Sequence, residues 1–408
     1  MNASSTPKVP SPPANKSAAW AITVLFCGFL LALPIFQAIW EVVVQKRAPL
    51  VWDLFTKTPT KANLHGWDKT QQDNSWLAEK VRTPLLQWRW DLFSDPGPKA
   101  VLGRDNWLFY APDVQYLMRP PIGDHRFTQG RLDTSFQGRR VNLSDPTVAI
   151  LDFQRQLASR GIELLLVPVP GKPSIYPELL DVEAALAISP TLDWIHKLRG
   201  QGLHVVDLFT PLRQAKSRGQ ELYLRQDTHW APAGLEVAAA TIALEARQIL
   251  TPSRRADSNY MLKDSMVERW GDVAEMTKLE RRHQIWPMQR VTAQRVTDRA
   301  GRPFAATDTA RILWLGDSYS RIFQTDAPGS AGVISHVAFH LQEPLASVVN
   351  DGGASTKVRE LLQRKRGILA HKKLVIWEFV ERDIRFGEGG WTPLQMNPSI
   401  FNTTSEAR

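Results

Sequence analysis

Arg311-Ile-Leu-Trp-Leu-Gly-Asp-Ser-Tyr-Ser320 (RILWLGDSYS) is the stretch from which the fold is read. Its first half, Arg311–Leu315, is apolar without alternation, the pattern of a strand covered on both faces. Gly316 then turns the chain, and Ser318 stands where a helix starts. A buried strand that delivers a hydroxyl to a helix start places it above the carboxyl end of a sheet. Ser318 is therefore the candidate nucleophile, with helix-start N–H groups and a positive dipole end available to an oxyanion. The plain alternative is a capped turn, because Asp317 and Ser318 both suit the N-cap position.

Outward from this stretch, three more flat apolar runs read as strands: Glu163–Val169 (ELLLVPV), His204–Leu208 (HVVDL) and Lys373–Val380 (KLVIWEFV). Between the strand candidates lie helical stretches at Pro146–Ser159, Pro190–Arg199, Pro232–Leu250 and Thr356–His371. The alternation predicts an α/β fold, a layered sheet flanked by helices. Residues 251–310 interrupt the rhythm, and Arg290–Thr297 (RVTAQRVT) reads there as one antiparallel strand.

Upstream stands Asp227-Thr228-His229-Trp230, followed at once by Pro232 and a helix. In an extended segment residues i and i+2 share a side, so Asp227 and His229 face the same way. A serine hydroxyl needs an imidazole to take its proton, and a carboxylate fixes the imidazole tautomer. His229 is the candidate base and Asp227 its orienter. Taken alone, Asp-x-His fits a satisfied loop histidine better than a catalytic pair; it gains weight only beside Ser318.

The chain has 408 residues, a net charge of +9 and 43% apolar residues, a composition that excludes a disordered protein. Its one cysteine, Cys27, excludes a disulfide-built fold and leaves the chain tolerant of an oxidising compartment. No metal site is expected: the histidines lack ligand spacing to cysteine, and the pair His336/His340 has no neighbouring Glu of the metalloprotease pattern. Dinucleotide and P-loop fingerprints are absent, and the basic residues form no nucleic-acid reading motif. Two basic runs stand out, Arg281–Arg302 and Lys357–Lys373, suited either to attracting an anionic polymer or to a solvated face.

Residues 18–40 carry no charge across 23 positions, with Trp20 and Trp40 near the ends. That is long enough to cross a hydrocarbon core of about 30 Å, and it reads as an uncleaved signal anchor rather than a cleaved signal peptide. The expected organisation is a disordered cytoplasmic tail (1–17), a transmembrane anchor (18–40) and a helical juxtamembrane stalk (41–100). A catalytic domain (101–390) and a C-terminal tail (391–408) follow.

The ordered set of Asp227-Thr228-His229-Trp230 and Gly316-Asp317-Ser318-Tyr319-Ser320 resembles the AlgJ/AlgX family of alginate O-acetyltransferase proteins, whose domain is SGNH-hydrolase-like. Gly103–Tyr110 (GRDNWLFY), Pro168–Glu178 (PVPGKPSIYPE) and Trp377–Arg382 (WEFVER) are similar to other family stretches. The resemblance implies a single-pass inner-membrane protein whose periplasmic domain moves acetyl groups onto an exopolysaccharide, with alginate, an anionic polymer, the expected acceptor. It implies no cofactor, with the acetyl donor delivered by a partner, a membrane-bound acyltransferase. It further implies an oxyanion element, for which Asn350, Gly352 and Gly353 are the candidates, with Tyr319 beside the nucleophile, and an acceptor site lined by Lys172, Tyr176 and Arg382. An acetylesterase with the same three residues and a non-catalytic polymer-binding assembly protein are the alternative readings.

Overall fold

Strands form where flat apolar runs are long enough to be covered on both faces. The computed structural model describes residues 16–120, 122, 124, 133–136, 139–142, 145–180, 189–250, 258–387 and 390–402. The expected tail at 1–17 therefore lies outside the described residues except for its last two. Residues Met1–Trp88 and Arg89–Arg408 make two compact units, so the stalk expected over 41–100 divides at Trp88.

In the first unit, α1 (Lys16–Val43) contains the apolar stretch Trp20–Val43, 24 residues with none of its most apolar window buried. At about 1.5 Å per residue that is roughly 36 Å, enough to cross a bilayer. Helix α2 (Lys61–Asn74) follows, and then α3 (Trp76–Phe93), which runs on past the unit boundary. Within the first unit Trp76 packs on Phe36 and Trp40 at ring distances of 4.8 and 5.7 Å. The buried Glu41 carboxylate accepts from Gln37, Arg47 and the Leu50 N–H.

The second unit opens with two antiparallel pairs, β1 (Ala100–Leu102) with β2 (Leu108–Tyr110) and β3 (Asp133–Phe136) with β4 (Arg139–Asn142). Then come α4 (Pro146–Ala158), β5 (Glu163–Val169), α5 (Pro190–Gly200), β6 (His204–Val205), α6 (Phe209–Ser217) and α7 (Pro232–Ile249). Asp145 and Ser189 cap α4 and α5 just ahead of the prolines that open them. A hairpin follows, β7 (Met261–Arg269) and β8 (Gln289–Thr297), with α8 (Asp272–Met276) in its connection. The last elements are β9 (Ile312–Gly316), α9 (Ser318–Arg321), α10 (Val333–Leu341), β10 (Ala346–Val349), α11 (Lys357–Leu362) and β11 (Leu374–Val380).

Five strands form one parallel sheet in the order β10-β9-β11-β5-β6. Its two faces build two cores. Leu165, Val167, Trp314 and Ile376 pack with α7 and α10, whereas Leu164, Leu166, Leu315 and Trp377 pack with α4, α5 and α11. Successive residues of one strand thus enter opposite cores, which is why the runs show no polar alternation.

Three boundaries differ from the sequence reading. Strand β6 pairs over two residues, Leu165 with His204 and Leu166 with Val205, because it is the sheet edge. Helix α11 stops at Leu362 instead of running to His371: Gly367 and Leu369 donate to Ser399 and Ile400 carbonyls, a tertiary pairing that replaces helix bonds. The chain after residue 390, expected as a tail, buries Trp391, Met396 and Ile400 in the core that contains Trp377.

Candidate active site

Strand β9 is buried along its whole length and ends at Gly316. A side chain there has no room: a Cβ would lie 2.0 Å from Ser320 Oγ and 2.7 Å from Glu378 Oε2. Asp317 caps α9, accepting the Tyr319 N–H on Oδ1 at 2.8 Å and the Val380 N–H on Oδ2 at 3.1 Å, a cap worth about 1 kcal/mol. Ser320 hydrogen-bonds Glu378 and accepts from Trp314 Nε1 at 2.6 Å. With its neighbours so fixed, Ser318 is left half-buried at the first position of α9, where its N–H has no intrahelical acceptor.

Asp227 and His229 ride a loop between two paired segments. Its root is closed by the bridge Tyr223–Trp230 and by Leu224 N–H donating to the His229 carbonyl at 3.1 Å. His229 Nε2 lies 2.8 Å from Ser318 Oγ, and its Nδ1 lies 2.6 Å from Asp227 Oδ1. Asp227 Oδ1 also accepts the His229 N–H at 3.0 Å, so the carboxylate fixes ring and backbone together. Burial pushes the Asp227 carboxyl up, but His229, by charge and hydrogen bond, and Arg269 outweigh it and hold it well below the usual carboxylate range. Burial disfavours the His229 imidazolium, yet Asp227 and then Asp272 raise the imidazole above its ordinary value against Arg382.

The structure brings Ser318, His229 and Asp227 together in one hydrogen-bonded line. It also brings Asn350 to the same end of the sheet: Val349 pairs with Gly316, and the Asn350 N–H donates to the Gly316 carbonyl at 3.0 Å. Gly352 takes φ of +66°, the left-handed region that suits glycine. A Cβ on Gly353 would lie 2.0 Å from Asn350 Oδ1, so its absence seats the amide.

Other expected residues are placed differently. Tyr319 gives its N–H to Asp317 and its phenol O–H to the Thr228 carbonyl at 2.8 Å, leaving no donor for an oxyanion; its ring stands edge-on to His229 at 4.8 Å. Lys172 is fully buried, donating to the Leu108 and Arg225 carbonyls at 2.6 and 3.1 Å, and burial pushes its amine down to about 8. Tyr176 accepts the Leu222 N–H at 2.9 Å and packs on Trp107. Both therefore brace the root of the His229 loop instead of lining an acceptor groove: Tyr176 is spent on Leu222, and Lys172 ties Arg225 of the loop to Leu108 of β2. Arg382 pairs with Asp113 at 2.8 Å and stands 6.0 Å over the Tyr319 ring, largely buried at the edge of the site.

Sequence reasoning passed over Arg269 and Asp272. Arg269 Nη2 lies 3.3 Å from Asp227 Oδ2, and Asp272 meets both Asp227 and Thr228. The visible signal was Gly271-Asp272 opening a short helix, a capping pattern with no hint of its distant partner. Asp227, His229 and Asp272 offer ligand atoms within 4.8 Å of one another, the geometry by which a small cation could be held. The 2.6 Å Nδ1–Oδ1 contact, however, is that of a charge-assisted hydrogen bond. The basic runs are largely neutralised: Arg281, Arg282, Arg290 and Arg302 meet Asp91, Glu275, Glu268 and Asp298, while Arg359 and Lys372 are buried.

Residues 100–381 match the family described as SGNH hydrolase-like domain, acetyltransferase AlgX. A probable alginate O-acetylase AlgJ of Pseudomonas aeruginosa is 27% identical over 307 residues, 71% of this chain and 72% of that one. A probable alginate O-acetylase AlgJ of Pseudomonas putida is 28% identical over 301 residues, 71% of each chain. The solved O-acetyltransferase domain of Pseudomonas putida AlgJ superposes with a TM-score of 0.53 at 23% identity, covering 76% of this chain and 98% of that one, a likeness of fold. A parallel sheet carrying Ser318 at its carboxyl end, faced by His229 and Asp227, together with a match over 100–381, places the chain in the AlgX family of SGNH-hydrolase-like acetyltransferases.

Proposed function

We propose that the protein is an O-acetyltransferase that moves acetyl groups through an acetyl-Ser318 intermediate onto hydroxyls of an exopolysaccharide, with alginate the favoured acceptor. The observation that carries the reading is the line Asp227–His229–Ser318, with contacts of 2.6 and 2.8 Å. In the first half, Ser318 Oγ attacks the acetyl carbonyl while His229 Nε2 takes its proton; His229 then returns the proton to the leaving group as the donor C–O bond breaks. In the second half, His229 takes the proton of a sugar hydroxyl as that oxygen attacks the acetyl-serine carbonyl, and returns it to Ser318 Oγ as the ester C–O bond breaks. The Ser318 N–H and the Asn350 side-chain amide would be the donors to the developing oxyanion.

The names of the relatives support alginate as the acceptor, and the length and apolarity of α1 support a membrane anchor; placing the second unit in the periplasm is part of the same proposal. A partner in the membrane would supply the acetyl group, and the chemistry asks for no cofactor beyond that donor. The test is to incubate the full chain in detergent with a chromogenic acetyl ester, with and without an oligouronate, and to weigh the products. An oligouronate heavier by one acetyl group is expected. Release of acetate alone would make it an esterase, and no turnover would leave a polymer-binding protein.

A further inference from the structure

Asp272 lies outside every motif that identifies the site, yet it is tied to the whole His229 loop. Its Oδ1 accepts the Thr228 N–H at 2.6 Å, its own N–H donates to Asp227 Oδ2 at 3.1 Å, and its Oδ2 stands 3.7 Å from His229 Nδ1. The Asp227 carboxylate therefore holds the Asp272 backbone and the Asp272 carboxylate holds that of Thr228, with His229 Nδ1 close to both. Glycine makes the approach possible: a Cβ on Gly271 would lie 1.9 Å from the Gln226 carbonyl oxygen, which also accepts the Ala274 N–H at 3.2 Å.

We propose that Asp272 is a positioning residue of the acyl-transfer site, a second carboxylate that holds the His229 loop in its reactive pose and shares with Asp227 the positive charge His229 acquires. The proposal rests on the reading of Ser318 as nucleophile and His229 as base. Its reason is charge balance. Asp227 spends Oδ2 on Arg269 at 3.3 Å as well as on the Asp272 N–H, so part of its negative charge is already answered. Arg382 acts against the imidazolium from the other side, and the neutral Tyr319 ring faces it from α9. Arg269 thus draws on the charge of Asp227 while Arg382 opposes the protonated base, and a single carboxylate would have to answer both. Around Asp272 itself stand Asp227 and His229, with Tyr110 and the buried Lys172 within electrostatic reach. Burial and then Asp227 push the Asp272 carboxyl up to about 6.

A brace without an electrostatic role would need only an acceptor for the Thr228 N–H, and Asp272→Asn keeps one while removing the charge. In the full chain, acting on a chromogenic acetyl ester, Asp272→Asn is expected to lower kcat roughly 10- to 100-fold with KM little changed. The acid limb of kcat/KM should move to lower pH by about half a unit or more and become shallower, because one titrating group is gone. Asp272→Glu, which keeps the charge, should hold the limb near its original place. Asp272→Ser, a shorter neutral acceptor, carries the same expectation as Asp272→Asn should the latter not fold.

A second readout needs no turnover. In the chain labelled with 13C-histidine, the His229 resonance, assigned by its absence from His229→Gln, should titrate at lower pH in Asp272→Asn. An unmoved limb and an unmoved His229 midpoint in an active chain would overturn the proposal and leave Asp272 a loop brace. An inert wild-type chain whose His229 midpoint still falls in Asp272→Asn would instead retain the charge sharing and remove the acyl-transfer reading.

Discussion

Ser318, His229 and Asp227 act as one unit if each is worthless without the others. Ser318→Ala, His229→Ala and Asp227→Ala should each cost roughly 10³-fold or more in kcat with folding intact, and a double variant should lose little further. Steady-state kinetics beside a melting curve check this. His229 must be neutral to take a proton, and Asp227 and Asp272 raise its pKa. Activity is therefore lost as pH falls through a value above the ordinary imidazole figure of about 6.5, and a pH profile of kcat/KM reads that limb. These three residues were legible because each pair of constraints is local: Asp227 and His229 are two apart, and Gly316 and Ser318 bracket one turn. Asp272 was not, since its partner lies 45 residues away and only the fold joins them. Lys172 and Tyr176 were legible as polar groups near the site but not as buried ones, because nothing local reveals which carbonyls a side chain will meet.

At the scale of elements, the sheet was readable wherever a strand is covered on both faces, as β5, β9 and β11 are. Strand β7 was missed because its burial is mostly solvent-side, leaving no apolar run to notice. One helix pair depends on a charged clasp: Glu236 on α7 meets His336 Nδ1 at 2.5 Å and His340 Nε2 at 2.7 Å on α10, and His336 Nε2 meets the Gln294 carbonyl at 2.8 Å. Burial pushes the Glu236 carboxyl up, but the two histidines outweigh it and bring it down to about 2. A depressed folded pKa stabilises above the unfolded value and fades as pH falls toward the folded one. Glu236→Gln should thus cost about 1 kcal/mol at neutral pH, discounted for the partial exposure of the carboxylate, by urea titration. The difference should shrink as pH falls from 4.5 toward about 2.

For the whole molecule, the reading of α1 as an anchor makes a topological statement. A reporter that works only outside the cytoplasm, fused after Arg408, should be active; a stable but silent fusion would reverse the orientation. Acidity has a further consequence, set by the carboxyls at the end of β11. Burial, with Asp317 beside it, pushes Glu378 well above the usual carboxylate range, and burial pushes Asp383 up to about 8. Groups whose folded pKa is raised support the fold below their unfolded value and withdraw that support as pH climbs through the folded one. His229 and Asp272 change in the same direction. Between about pH 5 and 8 the melting temperature should therefore fall while kcat/KM rises, which calorimetry and kinetics in matched buffers would read. Heat tolerance and turnover then pull toward opposite ends of that range, and a mildly acidic store preserves a protein that a mildly alkaline one sets to work.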